Sequence, residues 1–336
     1  MRLAIDAMGN DNGPEPIVQG VAAFLSRARH RDASVTLVGL RDRLEPLLGR
    51  HGLAEGGRLA VSPAGQVIEM HEKVEALRTK RDSSIVRLVT EVYENRADAM
   101  VALGNTAAAV GAATIGLRLL PGVRRPGIAV PMPTRKDKPC IVLDMGANTA
   151  AKPQHLAAYG VMASVYSQQV IGIPRPRVGL LNVGEERGKG NEVLREAFAL
   201  LSGAPIDFVG NVEGGDVFQG ELDVVVCDGF VGNVLLKAAE GLGTAIFGML
   251  RETFFASVTG RVAVFFGKRH LRMFRRKLDY ASYGGAPLLG VKGICIIGHG
   301  RSGPEAVENA LGAAKEAVAH SLNECIGENL ARMQTS

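Results

Sequence analysis

The sequence predicts an α/β protein: parallel sheets in Rossmann-like α/β/α layers, arranged in two lobes. Three observations carry this. Short runs that are apolar at every position, such as 100–103 and 224–226, alternate with longer stretches of helical period; a strand apolar on both faces belongs to a parallel sheet covered on both sides. Most runs end in Gly, Asn, Asp or Thr and lead toward a helix, the strand–turn–helix unit of such sheets. The length of 336 residues accommodates two lobes or one large domain.

In order along the chain, residues 3–5 form a short apolar strand and 17–29 a helix, followed by strand-like runs at 35–38 and 59–61. Helical period returns at 84–94, an apolar strand at 100–103 and a helix at 107–119. Residues 128–130 and 141–143 are two further strands, followed by a helix over 154–170. The alternation continues with strand 178–181, helix 192–201, strands 208–209 and 224–226, and helix 234–247. Strand 294–297 precedes one long Ala-rich helix within 305–327. The loops at 134–139 and before Tyr283-Gly284-Gly285 are the candidate linkers. They divide the chain into a first lobe of 1–139 with 283–336 and a second lobe of 140–282.

Composition narrows the function classes. Hydrophobic residues make up 46% and charged residues 22%, which confines expected disorder to the tail 332–336. A net charge of +5 permits an acidic partner or an anionic surface without requiring either. Cys140, Cys227, Cys295 and Cys325 form no CxxC pair and read as small buried residues in a reducing compartment. The start, MRLAIDAMGNDNGPE, lacks the apolar core of a signal peptide. Residues 99–117 carry no charge, but Gly104-Asn105-Thr106 interrupts them, so they read as strand, turn and helix rather than a membrane span.

The chemistry is expected in the turns. "VVVCDGFVGNVLLK" (224–237) has sister sites at 3–18, 100–111, 141–154, 179–197 and 294–310. Ligands of open α/β sheets bind beyond the carboxyl ends of strands, and helix N-termini attract anions. Any one such turn reads as capping by Asn or Asp; six together predict a cleft for phosphate or another small oxyanion. No HExxH, G-x-S-x-G or paired metal-ligand spacing occurs, and His299 is the only histidine inside a candidate turn. His30, His51, His270 and His320 read as surface or helix positions. A bound anion acting as its own nucleophile, with the protein positioning it and stabilising the oxyanion, fits this inventory.

Seven motifs, "IDAMGNDNGP" (5–14), "ALGNTAAAVGA" (102–112), "LDMGAN" (143–148), "LNVGEERGKGN" (181–191), "CDGFVGN" (227–233), "YGGAPLLGVKG" (283–293) and "IIGHGRS" (296–302), resemble the phosphate acyltransferase family of bacterial phospholipid synthesis, in order and over essentially the whole chain. Asn10 departs from the family's "AMGGD", where Gly is expected. The resemblance implies conversion of acyl-[acyl carrier protein] and inorganic phosphate into acyl phosphate and free carrier protein, without metal or organic cofactor. It also implies a fold similar to phosphotransacetylases and isopropylmalate dehydrogenases, a homodimer, and delivery of acyl phosphate to a membrane glycerol-3-phosphate acyltransferase. The catalytic candidates are Lys189, His299, Asn233 and Asp228. Asn105, Thr106, Asn148, Asn182, Gly184, Gly232, Gly300 and Lys292 are the substrate and phosphate candidates. Asp6 and Asp144 end strands and are expected to orient other groups. Each candidate has a plain structural reading beside the functional one: Lys189 as a solvated loop lysine, His299 as turn packing, Asp228 as a helix cap.

Residues 254–278 stand outside the sheet pattern. Phe254, Val258, Val262, Phe265 and Phe266 recur at helical spacing before Lys268, Arg269, Arg272, Arg275, Arg276 and Lys277, with no acid between the cations. A basic amphipathic helix pair of this kind reads as a membrane-surface element or a dimer-contact hairpin; its cations would equally suit an acidic carrier protein. The expected location is the cytoplasm, peripherally on the inner face of the plasma membrane. No nucleic-acid motif is present. The alternative activity is a phosphotransacetylase acting on a short acyl-CoA.

Overall fold

The computed structural model describes residues 1–278 and 284–335; of residues 270, 272, 274–278, 334 and 335 it describes the backbone only. The first half comprises β1 (Arg2–Asp6), α1 (Glu15–Ser26), β2 (Ser34–Gly39), α2 (Arg41–Arg50), β3 (Leu59–Pro63), α3 (Ala76–Thr79), α4 (Ser84–Tyr93), β4 (Ala99–Leu103) and α5 (Thr106–Gly116). Then follow β5 (Gly127–Met132), β6 (Cys140–Leu143), α6 (Pro153–Tyr166), β7 (Arg177–Leu181), α7 (Glu192–Ser202), β8 (Asp207–Val212) and β9 (Val224–Val226). The chain ends with α8 (Gly229–Phe255), α9 (Val258–Leu278), β10 (Ala286–Leu289), β11 (Ile294–Gly298), α10 (Pro304–Ala319) and α11 (Leu322–Thr335).

Eleven strands form one sheet in the order β3-β2-β1-β4-β11-β10-β5-β6-β9-β7-β8. The first five are mutually parallel, as are the last four. Between them β10 is antiparallel to both neighbours and β5 is antiparallel to β6. The two parallel blocks therefore run in opposite directions. β1, β4 and β11 end at one edge, here called upper; β6, β9 and β7 end at the other, here called lower. The α/β class of the sequence is the observed one, with an antiparallel seam joining two parallel halves into a continuous sheet.

The seam is what the sequence hid. β10 lies in "GGAPLLG", which the turn residues made look like loop; its Leu288 and Leu289 pair with Ile128 and Gly127 and are almost fully buried. α2 escaped notice because it is polar, with Pro46 inside it. The long Ala-rich helix is two helices, broken where Ser321 takes φ +47°. The helix expected over 234–247 begins at Gly229 and runs to Phe255. At 1.5 Å per residue its 27 residues span about 40 Å, twice the length of any strand beneath it, so it projects past the upper edge. His30, expected on the surface, is buried and stacked on Phe24 at 4.0 Å.

Apolar residues on both faces of the sheet make up the core, and three of the four cysteines lie within it as free thiols. Burial pushes the Cys295 thiol up to about 12. At the end of β1 the Asp6 carboxylate is fully enclosed and receives hydrogen bonds from the Met8 main chain (2.9 Å), Gly9 and Ser84. Desolvation outweighs these bonds and raises its pKa to about 6. The folded state therefore holds a proton that the unfolded chain releases near pH 4. The associated stability is fully present below that pH and is lost as pH rises to about 6. Asp6→Asn should abolish this term: over pH 4–6 the wild type should lose up to about 3 kcal/mol relative to the variant in urea-unfolding midpoints.

Candidate active site

A cleft of ≈ 700 Å³ lies on one face of the sheet between α5, which descends from the upper edge, and α8, which ascends from the lower one. Leu103, Val110, Ile128, Val130, Met145, Leu236 and Ile297 make its floor and walls apolar. Polar groups sit at the two ends. Thr106, Lys237, His299 and Ser302 line the upper part; Arg125, Gly146, Ala147 and Asn233 line the lower. From Thr106 to Ile115 along α5 the axial rise is about 14 Å.

The lower end is organised by Asp144, which is fully buried at the end of β6. Its Oδ1 accepts from the main-chain N–H of Ile128 (2.9 Å), Ala147 (3.0 Å) and Gly146 (3.2 Å), and its Oδ2 from Asn148 (2.7 Å). Burial raises its pKa against the pull of these donors. The same residue seats α8. A Cβ at Gly229 would lie 2.7 Å from Asp144 Oδ2, and one at Gly232 would lie 1.9 Å from the Asp144 carbonyl. Only glycine allows this approach. Beside it, Asn148 Nδ2 lies 3.3 Å from His155 Nδ1 and 3.4 Å from the Tyr159 hydroxyl, which donates to the Pro126 carbonyl. His155 Nδ1 accepts the Lys152 N–H, and burial, together with the charges of Arg125, Lys152 and Arg124, lowers the ring's pKa.

At the upper end Glu240 stands between two side chains: Lys237 Nζ is 2.9 Å from one carboxylate oxygen and His299 Nε2 is 3.8 Å from the other. The turn carrying His299 is pinned to the first turn of the chain. Asp11 N–H donates to the Gly300 carbonyl (2.7 Å), and Asn10 Nδ2 to the Ser302 carbonyl (2.8 Å) while its Oδ1 accepts from Asn12 (2.9 Å). Asn10 thus uses its side chain to tie two turns together.

The structure brings Thr106, Asn233 and His299 of the predicted site to the cleft. Other predicted residues perform structural tasks. Asp228 caps α8, accepting from Phe230 and Val231. Asn105 caps α5 and donates to the carbonyls of Glu69 and Glu72, anchoring the segment that places Val74 in the cleft wall. Gly232 and Gly300 are close-packing positions, against Asp144 and the Asp11 side chain. Lys189, Asn182 and Gly184 do not line the cleft. They lie on the loop after β7, where Asn182 Nδ2 donates to the Lys189 carbonyl and Lys189 Nζ is 3.8 Å from Glu186. Lys292 is exposed on the β10–β11 turn, outside the cleft lining. Sequence reasoning missed Arg125 and Lys237, which line the cleft; "VRRPG" and the helical "LLK" carry no motif. Among the described residues no group of three or more His, Cys, Asp or Glu could hold a metal.

A family model described as fatty acid synthesis protein matches residues 1–325. The phosphate acyltransferase of Pelotomaculum thermopropionicum is 46% identical over 331 residues, 98% of this chain and 95% of that relative. The phosphate acyltransferase of Acidobacterium capsulatum is 45% identical over 325 residues, 96% of this chain and 95% of its own. A phosphotransacetylase from Streptococcus pyogenes superposes with a TM-score of 0.64 at 18% identity, covering 97% of this chain and 94% of that one. A branched-chain phosphotransacylase from Enterococcus faecalis V583 gives 0.58 at 14% identity, covering 95% and 100%. At such identities the structural likeness is one of fold.

The two aspartates at the foot of α8 should separate clearly on substitution. Asp144→Asn removes the acceptor for Asn148 N–H and buries an amide against main-chain donors; a loss of about 2–4 kcal/mol is expected in denaturant unfolding. Asp228→Ala removes an exposed cap and should cost about 1 kcal/mol.

Proposed function

We propose a working geometry from one premise: the chain belongs to the fatty acid synthesis protein family and is an acyltransferase that converts acyl-[acyl carrier protein] and inorganic phosphate into acyl phosphate and free carrier protein. In this reading the phosphate and the thioester carbonyl meet at the lower end of the cleft, and the acyl chain runs up the apolar floor toward Leu103 and Ile297. One observation carries the assignment. The lower end holds Asn233 and Arg125, which makes no ion pair among the described residues, and the carboxylate behind it, Asp144, is buried with both oxygens bound to main-chain N–H groups; at the upper end the lining cation Lys237 is already paired with Glu240. A dianion prefers the first environment.

The chemistry then needs no protein nucleophile. A hydrogenphosphate oxygen attacks the thioester carbonyl, the C–O bond forms, the C–S bond breaks, and the proton of hydrogenphosphate ends on the departing thiol. Asn233 and Arg125 hold the anion and the developing oxyanion. Lys189 lies on a loop of the same lower edge and serves as a further point charge for incoming phosphate; Asn148 stands behind the lining residues Gly146 and Ala147, its side chain on His155 and Tyr159. His299 sits at the far end of the acyl chain rather than at the carbonyl. The length of apolar floor favours a long acyl group over the short acyl-CoA of a phosphotransacetylase, which would leave most of it wet.

The protein is further proposed to work as a homodimer in the cytoplasm, peripherally on the inner face of the plasma membrane, passing acyl phosphate to a membrane glycerol-3-phosphate acyltransferase. Support for the dimer is an exposed apolar stripe on α8: Val231, Val234, Leu242, Ile246 and Met249. Support for membrane contact is the helical pair formed by the end of α8 with α9. Val258, Val262, Phe265 and Phe266 are exposed there, the last two at 74% and 79%, with Lys268 and Arg269 exposed beside them and Phe254 partly covered. The side chains of Arg272, Arg275, Arg276 and Lys277 lie outside the described residues. Among the described residues α8 is the one helix long and apolar enough to cross a membrane, but its first turns, with Gly229, Gly232 and Leu236 buried, are packed against the sheet.

Three measurements test these readings. Incubation with palmitoyl-carrier protein and phosphate should yield acyl phosphate that hydroxylamine traps. Asn233→Ala and Lys189→Ala should each raise the KM for phosphate at least about tenfold, and an unchanged KM in both would remove this phosphate site. Phe265→Glu with Phe266→Glu should abolish co-sedimentation with anionic liposomes while leaving turnover of soluble substrate intact.

A further inference from the structure

Five exposed cations gather at the lower mouth of the cleft: Arg118, Arg124, Arg125, Lys152 and Lys292. They come from three separate segments that the fold joins. Lys292 N–H donates to the Arg118 carbonyl (3.0 Å), and Leu120 N–H to the Gly290 carbonyl (2.9 Å). Gly290 packs on Val123 and Pro126, next to Arg124 and Arg125. Arg125, Lys152 and Arg124 all act on the His155 ring. None of the five has an ion-pair partner among the described residues, whereas Arg2, Arg27, Arg41, Arg87, Arg96, Lys136 and Lys138 elsewhere are all paired with acids.

The sequence supplies this imbalance in an unusual way. No Asp or Glu occurs from residue 99 to 136, from 145 to 184, or from 280 to 303. Those stretches build the end of α5, the β6–α6 turn and the β10–β11 turn that frame the lower mouth. Acids on the flanks are Asp228, engaged as the N-cap of α8, Glu94 and Asp98, paired with Arg96 and Arg2, and Glu324 and Glu328 on α11, which reaches the same edge through Asn323. Exposed unpaired cations at this density create a positive field that a soluble domain does not need for its own stability.

We propose that this rim is the docking surface for an acidic protein carrying the acyl thioester, so that the carrier sits at the lower mouth and feeds its acyl chain up the cleft. The inference rests on the proposed orientation of the reaction. Charge complementarity supports it, and so does position: the rim borders Arg125 and Asn233, where the thioester must arrive. It lies at the opposite end of the cleft from the α8–α9 pair. Carrier docking and membrane contact then use different faces, and neither excludes the other. The cations of the α8–α9 pair, which by sequence suited a lipid surface and an acidic carrier protein equally, are left to the lipid surface.

The test is a triple charge reversal, Arg118→Glu, Arg124→Glu and Lys292→Glu, which leaves Arg125 and Asn233 intact. The variant's fold is checked by its circular dichroism and melting temperature. Three steady-state measurements are then compared: the KM for acyl-carrier protein, the KM for phosphate, and the rate with a neutral acyl-N-acetylcysteamine thioester. The expected result is a KM for acyl-carrier protein raised at least about tenfold, with its salt dependence flattened, and the other two values unchanged. An unchanged KM for acyl-carrier protein overturns the proposal, as does loss of anionic-vesicle binding with carrier KM intact, which would make the rim a lipid contact. A charge-neutral triple variant with Ala at the same positions provides the same readout if the reversal does not fold. Failure of the wild type to form acyl phosphate would instead strike the underlying reading of the reaction.

Discussion

The buried carboxylate of Asp144 fixes the geometry on which the cleft depends. Four main-chain N–H groups from two segments converge on its two oxygens, joining β5 to the turn after β6. The first turn of α8 then packs so closely on it that glycine is required at two positions. A charge in this environment is costly unless every lone pair is satisfied. That requirement couples the positions of the sheet seam, the β6–α6 turn and α8. The cleft wall that carries Asn233 and Lys237 follows from the seating of α8.

A second constraint comes from the sheet. Two parallel blocks of opposite direction cannot place all their carboxyl-end turns on one edge. The turns after β1, β4 and β11 gather above, those after β6, β9 and β7 below, and the α5–α8 cleft connects the two groups across the antiparallel seam. The cleft is therefore polar at both ends and apolar between. A phosphate with a long acyl group has a matching distribution: a compact charge attached to a hydrocarbon chain. The ends differ in how their charges are used: Glu240 and Asp11 pair with Lys237 and Arg301 near the upper turns, whereas at the lower end Asp144 is satisfied by main-chain N–H groups and Arg125 has no ion-pair partner among the described residues.

Much of this was legible in the sequence, and the reason lies in period and turn chemistry. Apolar runs such as 224–226 and 100–103 became β9 and β4 because burial on both faces leaves no polar position. Asp228 and Asn105 became N-caps, as short polar side chains at a strand–helix junction do. β10 was missed because two glycines and a proline surround it, and its antiparallel pairing is decided by neighbours distant in sequence. The polar turns predicted an anion cleft but not which of their residues face it. An asparagine that caps and one that lines a wall have the same local sequence, as Asn105 and Asn233 illustrate.

By itself the sequence determined the element order, the α/β class and the family, since these depend on local period, on turn residues and on motifs read in chain order. The tertiary structure alone decided which cations stand together. Arg118, Arg124, Arg125, Lys152 and Lys292 are spread over 175 positions of chain, and nothing local distinguishes them from the paired lysines and arginines elsewhere. Their shared field exists only because β10 and β5 bring the 117–126 loop, the 290–293 turn and the foot of α6 to one edge of the sheet. Coulomb energy depends on distance through space, and distance in space is the quantity that chain order does not contain.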